Sequence, residues 1–230
     1  MIKAVCIDVD NTLIDFNKCA KECMREGFKE IGEAFFEESF GVFRNINDRF
    51  WLELERGKIT KEYLFATRWD VVFGRLGING RSGAEFEKIF QKYLYDASVP
   101  VDDAKEMLVF LYGKVPLYSM TNGYLKQQEN RLDKIGFLKY FENIFASLEI
   151  GYNKPDRGFF DHCFEIMPFK PEETLMIGDS LSSDIIGAIN AGMHTLWFNY
   201  DKRDDYEGVD FDYMVYDLSE AVKILEKLLS

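Results

Sequence analysis

The feature that most restricts the fold of this sequence is the alternation of strand and helix patterns in its C-terminal part. From residue 100 onward, short apolar runs typical of buried strands alternate with longer amphipathic segments. Strands are predicted at 115–120, 144–147, 174–177, 194–198 and 213–215, and helices at 102–112, 124–135, 156–166, 183–191 and 218–229. This alternation predicts a parallel, doubly wound α/β sheet with helices on its faces.

A further buried strand is predicted at residues 2–7, and it leads directly into the acidic sequence DVDNT. Carboxylates at the end of a buried strand are costly unless they have a use. Because alternate residues of an extended chain face the same way, Asp8 and Asp10 can point at one site. Their mutual repulsion favours a bound cation. The alternative interpretation is a strand followed by an acidic turn.

Other polar side chains lie at or just after the ends of predicted strands. In doubly wound sheets, ligands bind beyond the carboxyl ends of the strands. The residues at these ends are of two kinds, oxygen ligands (Asp8, Asp10 and Asp179) and phosphate-binding groups (Thr121, Asn122 and Lys154). Oxygen ligands with water positions left over suit Mg²⁺, whereas no loop offers the full set of oxygens that calcium prefers. Helix N-termini and lysine side chains attract phosphate.

The charge of the chain restricts its partners. The formal net charge is −12 at pH 7. An acidic surface repels nucleic-acid backbones and anionic membranes, so we expect neither as a partner. A small anionic substrate requires a local positive group, and Lys154 offers one. We expect a monomer or weak homodimer that acts on a small molecule.

Composition also bears on the compartment and on zinc. The sequence has four cysteines and two histidines, and these lack the four-ligand spacing of structural zinc. It has neither a signal peptide nor an apolar run of 18 residues. We therefore expect a cytoplasmic protein with reduced thiols.

Residues 16–99 show helical patterns and no strand alternation. They are rich in aromatic side chains and leucine, and Gly57 and the segment 74–83 interrupt the helices. The glycines of that segment are not followed by the Gly-Lys-Ser/Thr of a nucleotide-binding loop, so we interpret it as an inter-helix loop. The region is predicted to be an all-helical insert.

Four short motifs resemble those of the haloacid dehalogenase superfamily. They are Asp8-x-Asp10-x-Thr12, Thr121-Asn122, Lys154-Pro155, and Gly178-Asp179-Ser180 with Asp184. The resemblance implies a Rossmann-like core at residues 1–15 and 100–230, with a helical cap at 16–99 inserted after the first strand. Within that cap, residues 47–60 (NDRFWLELERGKIT) with Arg68 are similar to pyrimidine 5′-nucleotidases that dephosphorylate non-standard nucleotides.

The resemblance also implies a role for each motif residue in phosphate-ester hydrolysis. Asp8 is expected to attack phosphorus and form an aspartyl-phosphate, and Asp10 to act as general acid and then as general base. The expected Mg²⁺ ligands are Asp8, the backbone carbonyl of Asp10, and Asp179. Asp184 is expected to orient the metal's ligands directly or through water. The remaining assignments are Thr121, Asn122 and Lys154 for the substrate phosphate, and Asn47, Trp51 and Arg68 for substrate specificity.

Four alternative functions are weighed at this point. A dehalogenase of the same family typically lacks the second acid, so the presence of Asp10 argues against that activity. A sugar-phosphate phosphatase or a phosphoglucomutase shares both Asp8 and Asp10. A non-catalytic phosphate-binding regulatory module is a more distant alternative, because a mere phosphoacceptor has no use for Asp10.

Overall fold

The computed structural model describes residues 1–229 and divides the chain into two compact units. The first unit combines Met1–Asp15 with the chain from Ser98 onward, and the second is Phe16–Ala97. The first unit resumes at Ser98. The carbonyl of the next residue, Val99, accepts a hydrogen bond from the Asp15 N–H at 2.8 Å. This contact ties the two segments of the first unit together.

The first unit is built on a six-stranded sheet in which every paired strand is parallel. Its strands are β1 (Ala4–Ile7), β2 (Leu117–Thr121), β3 (Asn143–Ala146), β4 (Thr174–Gly178), β5 (His194–Phe198) and β6 (Tyr213–Val215). Their order across the sheet is β3-β2-β1-β4-β5-β6. The order reverses direction at β1, and doubly wound sheets bind ligands at such a point.

The central strands are apolar because both faces of the sheet are covered. All residues of β1, β2 and β4 are buried. The residue at the end of β1, Ile7, pairs with Ser119 on one side and Ile177 on the other. This register brings the chain that leaves β1 next to the chains that leave β2 and β4. The predicted α/β fold with a parallel sheet is confirmed.

The helices of this unit are α5 (Ala104–Leu111), α6 (Leu125–Lys134), α7 (Ser147–Ile150), α8 (Arg157–Ile166), α9 (Gly187–Ala191) and α10 (Leu218–Leu228). The structure differs from the sequence prediction before α9, where Leu181–Ile186 forms a π-helical turn. It also differs at Thr121, which pairs with Ala146 as the last residue of β2. No helix in the described chain combines the length and apolar character needed to span a bilayer.

The second unit contains four helices, α1 (Phe16–Glu30), α2 (Glu37–Glu55), α3 (Lys61–Leu76) and α4 (Gly83–Leu94). Its interior is largely aromatic. Trp69 stacks on Phe43 with ring centroids 4.8 Å apart, and it forms a T-shaped pair with Phe86 at a centroid distance of 4.5 Å. Aromatic side chains carry large buried areas, and such pairs add stability beyond their area. Most of the aromatic periodicity in this segment therefore serves packing.

Candidate active site

Asp8 lies at the centre of the site, because it directly follows the last residue of the central strand β1. Its N–H donates to the Ile177 carbonyl at 2.9 Å, which continues the pairing of β1 with β4 by one residue. The side chain is only 11% exposed. A carboxylate this buried requires compensation by charge or by hydrogen bonds.

Lys154 supplies part of that compensation. Its ammonium group donates to Asp8 Oδ1 at 2.7 Å, to Asp184 Oδ1 at 2.6 Å and to the Met120 carbonyl at 2.5 Å. These three acceptors match the three N–H donors of a lysine. Burial alone lowers the pKa of Lys154, but Asp184 and Asp8 outweigh that effect and hold the pKa above its usual value. Lys154 is therefore a permanent cation here.

Three carboxylates form a compact cluster that one cation does not neutralise. Oxygen atoms of Asp8, Asp179 and Asp184 all lie within 4.8 Å of one another. Burial raises the pKa of Asp8 to about 8, against the opposing effect of Lys154 and with a further contribution from Asp184. Burial, with Asp8 and Asp184, also raises the pKa of Asp179. These residues fit a hard divalent cation such as Mg²⁺, because it binds oxygen ligands and would relieve their repulsion.

The position of Asp184 depends on the local structure that follows β4. Its Oδ2 accepts from the Ser180 N–H at 3.1 Å. A Cβ atom on Gly178 would lie 2.3 Å from the same oxygen, so that position requires glycine. π-Helical turns occur often at functional sites, and this turn brings Asp184 into the carboxylate cluster beside Asp179. Asp184 thus lies among the groups able to hold a metal as well as beside Lys154.

The side chain of Asp10 has different partners from those of the cluster. Its Oδ2 accepts from Gln128 Nε2 at 2.6 Å, and its Oδ1 accepts from Arg131 Nη1 at 2.7 Å. Both partners lie on α6 and are fully buried. The sequence motifs did not indicate either residue. The available sequence signal for them is that Gln128 and Arg131 are spaced i, i+3 on the helix that follows the Thr121 motif.

Thr121 is hydrogen-bonded to Gln128, and Asn122 is hydrogen-bonded to the backbone of Lys154. Thr121 Oγ1 accepts from the Gly123 N–H at 3.0 Å and from Gln128 Nε2 at 3.2 Å. The Asn122 side chain accepts from the Lys154 N–H at 2.9 Å and donates to the Lys154 carbonyl at 3.0 Å. Asn122 therefore fixes the backbone that carries Lys154. The structure brings together all the predicted site residues of the first unit in this way.

The three residues predicted to set substrate specificity lie in the helical unit. Arg68 donates to both carboxylate oxygens of Glu87 at 2.8 Å and to Asn47 Oδ1 at 2.8 Å. Arg68 is 2% exposed and Asn47 is 4% exposed. Trp51 is half-buried and forms a T-shaped pair with Phe65. Arg68 and Asn47 thus form an internal polar network with Glu87, and the motifs did not indicate Glu87.

Comparison with known proteins shows which family the chain belongs to. The sequence profile of the haloacid dehalogenase-like hydrolase family matches residues 2–192. Pyrimidine 5′-nucleotidase PynA of Streptococcus pneumoniae is 32% identical over 227 residues, which cover 98% of this chain and 95% of PynA. Pyrimidine 5′-nucleotidase YjjG of Escherichia coli is 29% identical over 222 residues, which cover 96% of each chain.

A solved structure shows the same fold. The crystal structure of the HAD hydrolase YfnB from Bacillus subtilis, bound to magnesium, has a TM-score of 0.91 to this protein at 30% sequence identity. The match covers 98% of this chain and 99% of YfnB. The family resemblance predicted from the four motifs is confirmed, since the matched profile spans every one of them. This chain is a member of the haloacid dehalogenase-like hydrolase family.

Proposed function

We propose that this hydrolase is a Mg²⁺-dependent phosphatase that acts through an aspartyl-phosphate on Asp8, with a nucleoside 5′-monophosphate as its substrate. The observation that carries the proposal is the contact of Lys154 with Asp8 beside the Asp8, Asp179 and Asp184 cluster. A phosphate ester bound there would contact the nucleophile Asp8 and the cation Lys154, beside oxygen ligands for a metal. Positioning and charge stabilisation supply most of the catalysis in phosphoryl transfer.

In the first step, an Asp8 carboxylate oxygen attacks phosphorus in line with the leaving oxygen. The bond from phosphorus to the leaving oxygen breaks, and Asp10 gives that oxygen a proton. Lys154 keeps the Asp8 carboxylate in place through its 2.7 Å hydrogen bond. Thr121, Asn122 and Lys154 are proposed to contact the phosphoryl oxygens.

In the second step, Asp10 takes a proton from water as the water oxygen bonds to phosphorus. The bond between phosphorus and Asp8 breaks, which regenerates the Asp8 carboxylate and releases phosphate. Asp10 lies two residues beyond the nucleophile, so one carboxyl group can serve both steps.

The oxygen-rich cluster is proposed to hold Mg²⁺ through Asp8, Asp179 and the backbone carbonyl of Asp10. Asp184 is proposed to contribute either directly or through water. When bound, Mg²⁺ neutralises charge on the phosphoryl oxygens. The magnesium reported with YfnB and the raised pKa values of Asp8 and Asp179 support this assignment.

The nucleotide substrate is supported by similarity to the pyrimidine 5′-nucleotidases PynA and YjjG, both of which align over nearly the whole chain. The burial of Asn47 and Arg68 leaves Trp51 as the more accessible of the three cap residues proposed to set specificity. A sugar phosphate is the competing substrate class, because the core motifs serve either ester.

A substrate panel tests the proposal. Phosphate release is measured with UMP, dUMP, dTMP, a set of hexose phosphates and 4-nitrophenyl phosphate, each with Mg²⁺. We expect the highest kcat/KM with the pyrimidine nucleotides. A preference for hexose phosphates would reject the nucleotide assignment and keep the phosphatase, whereas no release from any ester would reject both.

A further inference from the structure

Two buried side chains of α6 hold the carboxylate of Asp10 at both of its oxygens. Gln128 Nε2 donates to Oδ2 at 2.6 Å and Arg131 Nη1 donates to Oδ1 at 2.7 Å. Arg131 Nη1 also donates to Gln128 Oε1 at 3.2 Å, so the two side chains hold each other in place. Gln128 and Arg131 are 0% exposed, whereas the side chain of Asp10 is 32% exposed.

The energetics of burial indicate that this pair has a purpose beyond folding. Burying a guanidinium group carries a large desolvation cost, which a single ion pair offsets only with good geometry. An apolar residue at position 131 would fill the same interior without that cost. Instead, Gln128 and Arg131 bind both oxygens of the partly exposed Asp10 carboxylate and so fix its orientation.

The loop after β2 is shaped around the same amide. A Cβ atom on Gly123 would lie 2.2 Å from Gln128 Nε2, so a side chain at residue 123 would displace the amide. The Gln128 amide also donates to Thr121 Oγ1 at 3.2 Å. Gln128 thus links the Asp10 carboxylate to the strand end that is proposed to bind phosphate.

We propose that Gln128 and Arg131 are positioning residues that hold Asp10 for proton transfer. This inference rests on the proposed function, in which Asp10 protonates the leaving oxygen and then deprotonates water. Loss of either donor lets the carboxyl group turn away from the reacting oxygen. Both proton transfers then slow, while the Asp8 nucleophile and its hydrogen bond to Lys154 are unchanged.

The choice of leaving group separates this effect from general damage to the site. The ribose 5′-oxygen of UMP needs a proton to leave, but 4-nitrophenolate leaves without one. The ratio kcat/KM reports the steps up to formation of the aspartyl-phosphate, whereas kcat includes its hydrolysis. A positioning defect therefore lowers kcat/KM for UMP much more than kcat/KM for 4-nitrophenyl phosphate.

The test uses Gln128→Met and Arg131→Met, with Lys126→Met as the matched control on the exposed face of the same helix. We expect kcat to fall about tenfold or more with both esters in the first two variants, because general acid–base catalysis contributes at least that much. With 4-nitrophenyl phosphate, the variants should release one equivalent of nitrophenolate rapidly and then turn over slowly. The Lys126→Met control should match the wild type throughout.

The outcomes separate this inference from the proposed function. A fall in kcat/KM for 4-nitrophenyl phosphate as large as that for UMP, or an unchanged kcat with UMP, overturns the positioning role. A wild-type chain that hydrolyses neither ester overturns the proposed function and this inference together. If Arg131→Met does not fold, Gln128→Met decides alone, since it removes no charge.

Discussion

Lys154 Nζ lies 2.7 Å from Asp8 Oδ1, although 146 residues of sequence separate them. The Asn122 side chain fixes the Lys154 backbone, and Asp8 continues from the central strand β1. The proposed nucleophile and the buried cation are therefore held by rigid elements on each side. Rigid support of this kind keeps reacting groups in productive geometry.

Asp8→Asn should abolish turnover without unfolding the protein. The asparagine Oδ1 can still accept from Lys154, but the neutral amide cannot attack phosphorus. We expect kcat with the best substrate to fall roughly 10³-fold or more, as for loss of a catalytic nucleophile. Steady-state kinetics and thermal unfolding of the same preparation check this. Appreciable residual turnover would contradict the covalent mechanism.

Removal of Mg²⁺ should stop hydrolysis and lower stability. A ligand that binds only the folded state stabilises it by about 2.7 kcal/mol at one hundred times its Kd. Titration with MgCl₂ should therefore raise the unfolding temperature of the wild type, and EDTA should reverse that rise. Asp179→Asn should weaken the response, while Glu165→Gln, an exposed control, should not. A rate unaffected by EDTA would rule out the metal.

The Arg68–Glu87 ion pair should stabilise the helical unit through its burial. Arg68→Met leaves the Glu87 carboxylate buried without its cation, and we expect a loss of about 3–5 kcal/mol in the free energy of unfolding. Arg68→Met with Glu87→Met should cost less than the sum of the single changes. Urea unfolding of the four proteins in this cycle measures the coupling.

The control for this cycle is an exposed pair in the same unit. Lys29 and Glu26 have side chains that are 77% and 37% exposed, so Lys29→Met should change stability by less than about 1 kcal/mol. If Arg68→Met were no more destabilising than Lys29→Met, the network would have no stabilising role. That result would favour a role of Arg68 in substrate binding.

Cys163 should make stability fall at alkaline pH. Burial raises the pKa of its thiol from 9.0 to about 12. The unfolded chain then releases this proton at lower pH than the folded one, so stability is complete below pH 9 and declines as pH rises toward 12. Between pH 8 and pH 10, titration of this thiol should lower the free energy of unfolding by about 1.4 kcal/mol.

Comparison with Cys163→Ala isolates that contribution. The variant lacks the titrating group, so its free energy of unfolding should decline less between pH 8 and pH 10 than that of the wild type. Urea unfolding at both pH values gives the difference. Parallel declines in the two proteins would show that the thiol titrates normally.

Local patterns were sufficient to predict the fold of the first unit. Apolar runs of strand length separated by amphipathic segments predicted the parallel sheet, because only a sheet covered on both faces buries such strands. The exceptions were local. The pattern predicts ordinary helix where the π-helical turn lies before α9, since the hydrogen bonds of that turn depend on Ser180 and Asp184 rather than on periodicity.

Motifs at strand ends also indicated most of the candidate site. The carboxyl ends of parallel strands meet at one edge, so Asp8, Thr121 and Asp179 had to approach one another. Sequence gave no comparable rule for Gln128 and Arg131. Polar residues on a helix ordinarily face solvent, and only the packing of α6 showed that these two are buried against Asp10.

The sequence by itself determined the layered α/β core, the helical insert predicted at residues 16–99, and the family of the chain. Tertiary structure decided which charges are paired. Arg68 and Glu87 are 19 residues apart on different helices, and nothing in the pattern of either helix indicates the other. Periodicity specifies which face of an element is apolar, but the partner of a buried charge depends on distances that exist only after the elements have packed.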